Sequence, residues 1–232
     1  MITKEYSEKV YDTLSQEQKL KLALYNDFGE KAQSIFDWLN HSDSNQSDSK
    51  PVIDKAETIY PDGVYYLYKD GSKELFDFIG QNKPQKEVKR IGVKMGEHSI
   101  AIGLKGLQEQ TLTIKENDDD YNDYVYEHDD AVADWNGKLN TKHIRQTGTD
   151  IELADDEWIP SIAELYLIYI NKRSINSAIE LSSGVRLGSG WYWSSTEESV
   201  GFAWSLNFVD GNISKDPKNI VEFYVCAVTE FS

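Results

Sequence analysis

Residues 41–50 (HSDSNQSDSK) pass without a single apolar side chain. A stretch with nothing to bury cannot join a packed core, so it divides the chain. The division predicts a helical attachment or oligomerisation segment over residues 1–41, a polar linker over 42–60 and one domain over 61–232. The periodicity changes across the break accordingly. Upstream, Leu20, Leu24, Phe28, Ala32, Ile35 and Leu39 recur at spacings of three and four, which places them on one stripe of a helix. Ser15 and Gln18 have the form of a capping box at its start. The stripe is not a strict heptad, so packing onto its own domain and docking on a partner stand as equal readings.

Downstream the pattern is that of strands. Residues 64–68 lead into Asp70-Gly71, which predicts a type I′ hairpin turn with positive φ at both positions. Residues 91–95 and 99–104 predict a second hairpin across Gly96-Glu97, and residues 111–115 a further strand. Helix returns after Pro160, where Ser161 and Glu164 form another capping box, and a short helix is expected over 174–179. Trp204, Leu206 and Phe208 then alternate on a strand, Asp210-Gly211 turns it, and residues 221–228 predict the next strand. Strands, then helices, then strands describe an α+β domain.

Charge narrows the partners. Against 24 Lys and Arg stand 40 Asp and Glu, a formal net charge of −16. Such a field repels phosphate backbones and anionic lipid, so no nucleic-acid partner is expected. No apolar run approaches the roughly 20 residues of a membrane helix, so no membrane insertion is expected. The opening residues MITKEYSEKVYDTL lack the apolar core of a secretory signal. One cysteine excludes an intrachain disulfide, and Cys226 lies in an apolar strand, where a buried inert thiol is expected.

Residues 116–130 hold eight acids in fifteen. Within them Asp118, Asp120, Asn122 and Asp129 fall at positions one, three, five and twelve of an EF-hand-like loop, so calcium is the cofactor to consider. Asp123 occupies the position of the turn glycine, and position twelve lacks the bidentate Glu. The competing reading is a solvated acidic loop. His41, His98, His128 and His143 form no ligand-spaced pair, and there is no Walker loop, Gly-x-Ser-x-Gly or Gly-x-Gly-x-x-Gly. No catalytic set assembles from the sequence, which points to a binder. Trp191-Tyr192-Trp193 adds an aromatic triplet. On a strand it would turn both tryptophans to one face, with Trp191 either core or a stacking surface for a ligand.

The second half of the chain resembles a known module. Trp135-Asn136-Gly137, Asn140-Thr141 and Ile144 precede Trp158-Ile159-Pro160-Ser161 with Glu164-Leu165. Ile175-Asn176, Tyr192-Trp193-Ser194-Ser195-Thr196-Glu197, Ala203-Trp204, Phe208 and Gly211 follow. This order is similar to the Lcl C-terminal domain family, a C-type-lectin-like module related in fold to formylglycine-generating enzymes and to phage and gut-bacterial diversity-generating-retroelement variable proteins. The resemblance spans about residues 61–232. Two departures stand out: Glu157 where the family carries an aromatic, and no Arg near Cys226, which removes a possible buried ion pair.

The resemblance implies a non-catalytic recognition or adhesion module. Trp191, Glu198, Ser199, Phe202, Asn207, Asp210 and Asn212 would form the ligand-binding surface, on the polar connections 197–201 and 210–219. The expected role is a phage virion fibre or decoration protein that binds a host-surface glycan or protein. It would contact other virion proteins through residues 1–41 and form a homo-oligomer. An exported bacterial surface adhesin or lipoprotein, or an enzyme using the acidic stretch, are the alternatives.

Overall fold

The computed structural model describes residues 60–105, 108–112 and 123–232. The expected helical segment and linker, the strand positions 113–115, and Asp118, Asp120 and Asn122 lie outside the described residues.

Pro61–Ser232 form a compact unit of mixed α+β structure with two five-stranded sheets. The first sheet has the order β10-β4-β3-β1-β2. It joins β1 (Gly63–Tyr68), β2 (Lys73–Leu75), β3 (Val88–Met95), β4 (His98–Ile102) and β10 (Val228–Thr229), all antiparallel. The second sheet has the order β5-β9-β6-β7-β8. Its strands are β5 (Glu109–Gln110), β6 (Trp191–Glu197), β7 (Phe202–Asn207), β8 (Ile213–Pro217) and β9 (Phe223–Tyr224), with β6 and β9 parallel. Among the described residues four helices lie between β5 and β6 in sequence: α1 (His128–Val132), α2 (Gly137–Thr147), α3 (Ile162–Ile170) and α4 (Lys172–Leu181).

Helix α3 packs on β6 and β7 of one sheet and on β3 of the other, while α4 packs on β1 and β3. That position between layers explains its sequence: seven of its nine residues are buried, including the polar Glu164. Its start is the expected capping box, with both the Ser161 and Glu164 side-chain bonds made. The core beneath the second sheet gathers Leu112, Ile144, Ile151, Ile159, Trp193, Ala203 and Val225. Trp193 Nε1 donates to the Gln110 carbonyl at 2.9 Å, so the buried indole leaves no donor unpaired.

Several expectations need correction. The β1–β2 connection is not a type I′ turn, because only Gly71 has positive φ (83°). The Gly71 N–H donates to the Tyr68 carbonyl and the Tyr68 N–H to the Ser72 carbonyl, which makes a three-residue loop with glycine at the left-handed position. A short strand, β5, ends at Gln110, and of the strand expected at 111–115 only Thr111 and Leu112 are described, both outside any strand. Residues 221–228 are not one strand: β9 pairs in the second sheet and β10 in the first, so this segment crosses between sheets. Helices α1 and α2 have no counterpart among the expected elements. Strand β7 does not alternate between a buried and an open face either, since Ala203, Trp204, Ser205 and Leu206 are all buried.

Candidate functional site

The family-like motif residues turn inward. At the irregularity of β6 against β7, Ser194 Oγ donates to the Trp204 carbonyl at 2.6 Å and accepts from the Thr196 N–H at 3.2 Å. Thr196 Oγ1 donates to Asp134 Oδ2 at 2.7 Å and accepts from the Ile162 N–H at 3.0 Å. Asn140 Nδ2 also donates to Asp134 Oδ2, and Thr141 Oγ1 both accepts from and donates to the backbone of Ile159. Glu164 Oε2 accepts from Trp158 Nε1 and from the Ser161 N–H, each at 3.0 Å. A Cβ on Gly137 would stand 2.0 Å from that oxygen, so only glycine fits there. Burial pushes the Glu164 carboxyl up to about 7 against those donors, with the Asp134 charge adding to the rise. These residues form a satisfied internal network, and they specify a scaffold rather than a contact surface.

Glu197, expected on a polar connection, is instead buried at the end of β6. Lys218, expected on the connection 210–219, is fully buried too, and that connection contains β8. Lys218 Nζ donates to Glu197 Oε1 at 2.5 Å and to the Ser199 carbonyl at 2.8 Å, while its backbone N–H donates to the Gly201 carbonyl at 3.0 Å. One residue thus ties the 198–201 loop from beneath. Burial pulls the Lys218 pKa below the usual lysine range, opposed by the Glu197 charge. Among the described residues Glu197 Oε2 accepts no hydrogen bond, and His143 Nε2 from α2 lies 3.5 Å away.

Above this anchor is an accessible rim. Phe202 is 44% exposed and Tyr126 58% exposed. Lys215 Nζ reaches Glu198 Oε1 at 3.2 Å, donates to the Tyr126 carbonyl at 2.6 Å and lies 4.9 Å over the Trp204 ring. Trp204 Nε1 donates to the Val125 carbonyl, and the Val125 N–H to the Glu197 carbonyl, which seats residues 123–127 beside β6. Two exposed aromatic side chains thus accompany a carboxylate–ammonium pair. That combination suits stacking on a ring or apolar face with polar groups at its edge.

The seven expected ligand residues divide between two ends of the sheet. Glu198, Ser199 and Phe202 stand at this rim. Trp191 pairs in register with Asn207 at the far end of the hairpin, where Asp210 and Asn212 also lie. Trp191 is half-buried and stacked on Phe223, with ring centroids 5.8 Å apart. Asp210 accepts from the Asn212 backbone N–H and from its Nδ2, a local turn closure. Tyr126, Lys215, Lys218 and His143 had no sequence signal: each acquires a role only through residues distant in the chain.

Asp129 sits exposed on α1, 3.2 Å from His128 Nδ1. Among the described residues no three His, Cys, Asp or Glu side chains are grouped to hold a metal ion. Burial pushes the Cys226 thiol up to about 12, which makes it unreactive. An open groove of about 620 Å³ is lined by Arg145, Gly148, Thr149, Ile151, Glu152, Leu153 and Ala154. Among the described residues no helix is long and apolar enough to cross a membrane. No family model, curated protein or solved structure matches the chain.

Proposed function

We propose that residues 61–232 are a C-type-lectin-like recognition module, and that it binds through the rim formed by the β6–β7 loop, β8 and residues 123–127. The reading extends to a phage virion fibre or decoration protein directed at a host-surface glycan or protein. What supports it is a contrast within one region: a loop tied by buried Lys218, together with exposed Phe202 at its end and exposed Tyr126 held through Lys215. A rim held in advance loses little conformational freedom on binding, which favours affinity. The inward-turned motif network fits a module whose signature is architectural, with the ligand left to the connections.

Phe202→Ala with Tyr126→Ala should leave unfolding unchanged. The same pair should lower binding to host cells, or to an immobilised glycan panel, by at least tenfold, as truncation of an aromatic hot spot does. Trp191→Ala with Asn212→Ala tests the far end in the same assay. Wild-type binding by the rim variant would remove this assignment.

A further inference from the structure

Glu197 and Lys218 stand 21 positions apart, and their side chains meet in a volume closed to solvent. A buried ion pair carries a heavy desolvation penalty that mutual attraction offsets only when every remaining lone pair is bonded. Here one is not. Glu197 Oε2 is the buried side-chain polar atom without a hydrogen-bond partner among the described residues, and it faces His143 Nε2. The site therefore holds a pre-aligned amine and carboxyl, with a proton carrier beside the oxygen that no described residue hydrogen-bonds.

We infer that Lys218 and Glu197 become joined by an intramolecular amide bond between Nζ and Cδ. Nζ attacks Cδ, and the Cδ–Oε2 bond breaks. Of the three hydrogens on the lysine ammonium, one stays on the amide nitrogen and two leave with Oε2 as water. Nothing is oxidised or reduced, and no co-reactant is required. His143 carries the proton from the attacking nitrogen to the departing oxygen.

Three physical terms favour the step. Fixed side chains react as though at an effective concentration of about 10⁵ M or more, which offsets the unfavourable condensation of amines and carboxylates in water. The product replaces two buried charges with one neutral amide. It also removes the orphaned oxygen, while the remaining N–H keeps the Ser199 carbonyl as acceptor. Burial separately favours the neutral amine that attack requires. The inference does not depend on the ligand-binding reading.

The test is the intact mass of the full chain under denaturing conditions, followed by peptide mapping. The expected result is a mass lower than the sequence mass by one water, with a branched peptide linking Glu197 to Lys218. Mapping is essential, because Asp62-Gly63, Asp70-Gly71 and Asp210-Gly211 can also lose water by cyclisation. Folded wild-type protein at the full sequence mass, with the two residues in separate peptides, would overturn the inference; so would a water loss mapped elsewhere. Lys218→Met should stay at its sequence mass. His143→Gln, if folded by circular dichroism, should show a lower crosslinked fraction at matched times after synthesis. An equal fraction would overturn the role given to His143.

Discussion

The two ends of the second sheet are held by different chemistry. Where β6 turns into β7, buried Lys218 reaches Glu197, Ser199 and Gly201 at once, so one buried side chain ties three points of the loop. Where β7 turns into β8, the connection rests on many separate contacts. Tyr166 Oη donates to the Gly211 carbonyl at 2.8 Å, Lys172 Nζ donates to the Phe208 carbonyl, and Phe208 stacks on Tyr192 with centroids 3.9 Å apart. The first arrangement is all-or-none, because removing one partner strands a buried charge. The second fails gradually. A loop that binds as proposed would benefit from the first kind of support, since side chains on it can vary without loosening the backbone.

The largest effect that breaks this comparison is expected from Lys218→Met. Leaving Glu197 buried and unpaired should cost about 3–5 kcal/mol in denaturant unfolding relative to the double variant with Glu197→Met, in which neither charge remains. A difference under about 1 kcal/mol would mean that the Glu197 carboxylate is not stranded when Lys218 is removed.

Next comes the network behind the same end. The Glu164 carboxyl rises from 4.5 in the unfolded chain to about 7 in the folded one, so the folded state holds the proton more tightly. Its stabilising contribution is present in full below about pH 4.5 and is lost as pH rises through about 7, roughly 3 kcal/mol in all. Glu164→Gln keeps a capping side chain without the titration and should flatten the stability–pH profile across that window. An unchanged slope would show that Glu164 is not its source.

At the opposite end the effects shrink. Gly211 has φ 73°, and a Cβ there would stand 2.7 Å from the Tyr169 ring, so Gly211→Ala should destabilise by about 1–2 kcal/mol. Gly96→Ala provides the control: its φ is 59°, but nothing lies within 4 Å of the added Cβ, so thermal unfolding should show about 1 kcal/mol or less. The smallest change is expected from exposed Asp210→Ala, within about 0.5 kcal/mol. If Asp210→Ala matched Lys218→Met, the contrast between the ends would collapse.

What could be read from sequence was what neighbouring residues decide among themselves. The capping box at Ser161 and Glu164, the two-residue connection at Gly96-Glu97 and the inward Trp193 and Trp204 all follow from spacings of a few residues. Helix α2 escaped because its residues include glycine, threonine and several polar side chains, so its apolar stripe is thin. The expected strand at 221–228 failed for another reason. Its apolar residues suit burial in either sheet, and only the packed layers divide them between Tyr192 on β6 and Ile102 on β4. The motif that carries the resemblance is legible as a pattern but not as a role. Nothing local reveals that Ser194, Thr196 and Glu197 bond inward rather than to a ligand.

The sequence by itself determined the mixed strand-and-helix character, the strongly negative charge and most turn positions, since these are properties of short windows or of composition. The tertiary structure alone decided that a lysine beside Pro217 would be buried against Glu197 and His143. A charge tolerates burial only where distant segments converge to neutralise it, and that convergence exists only once the chain has folded.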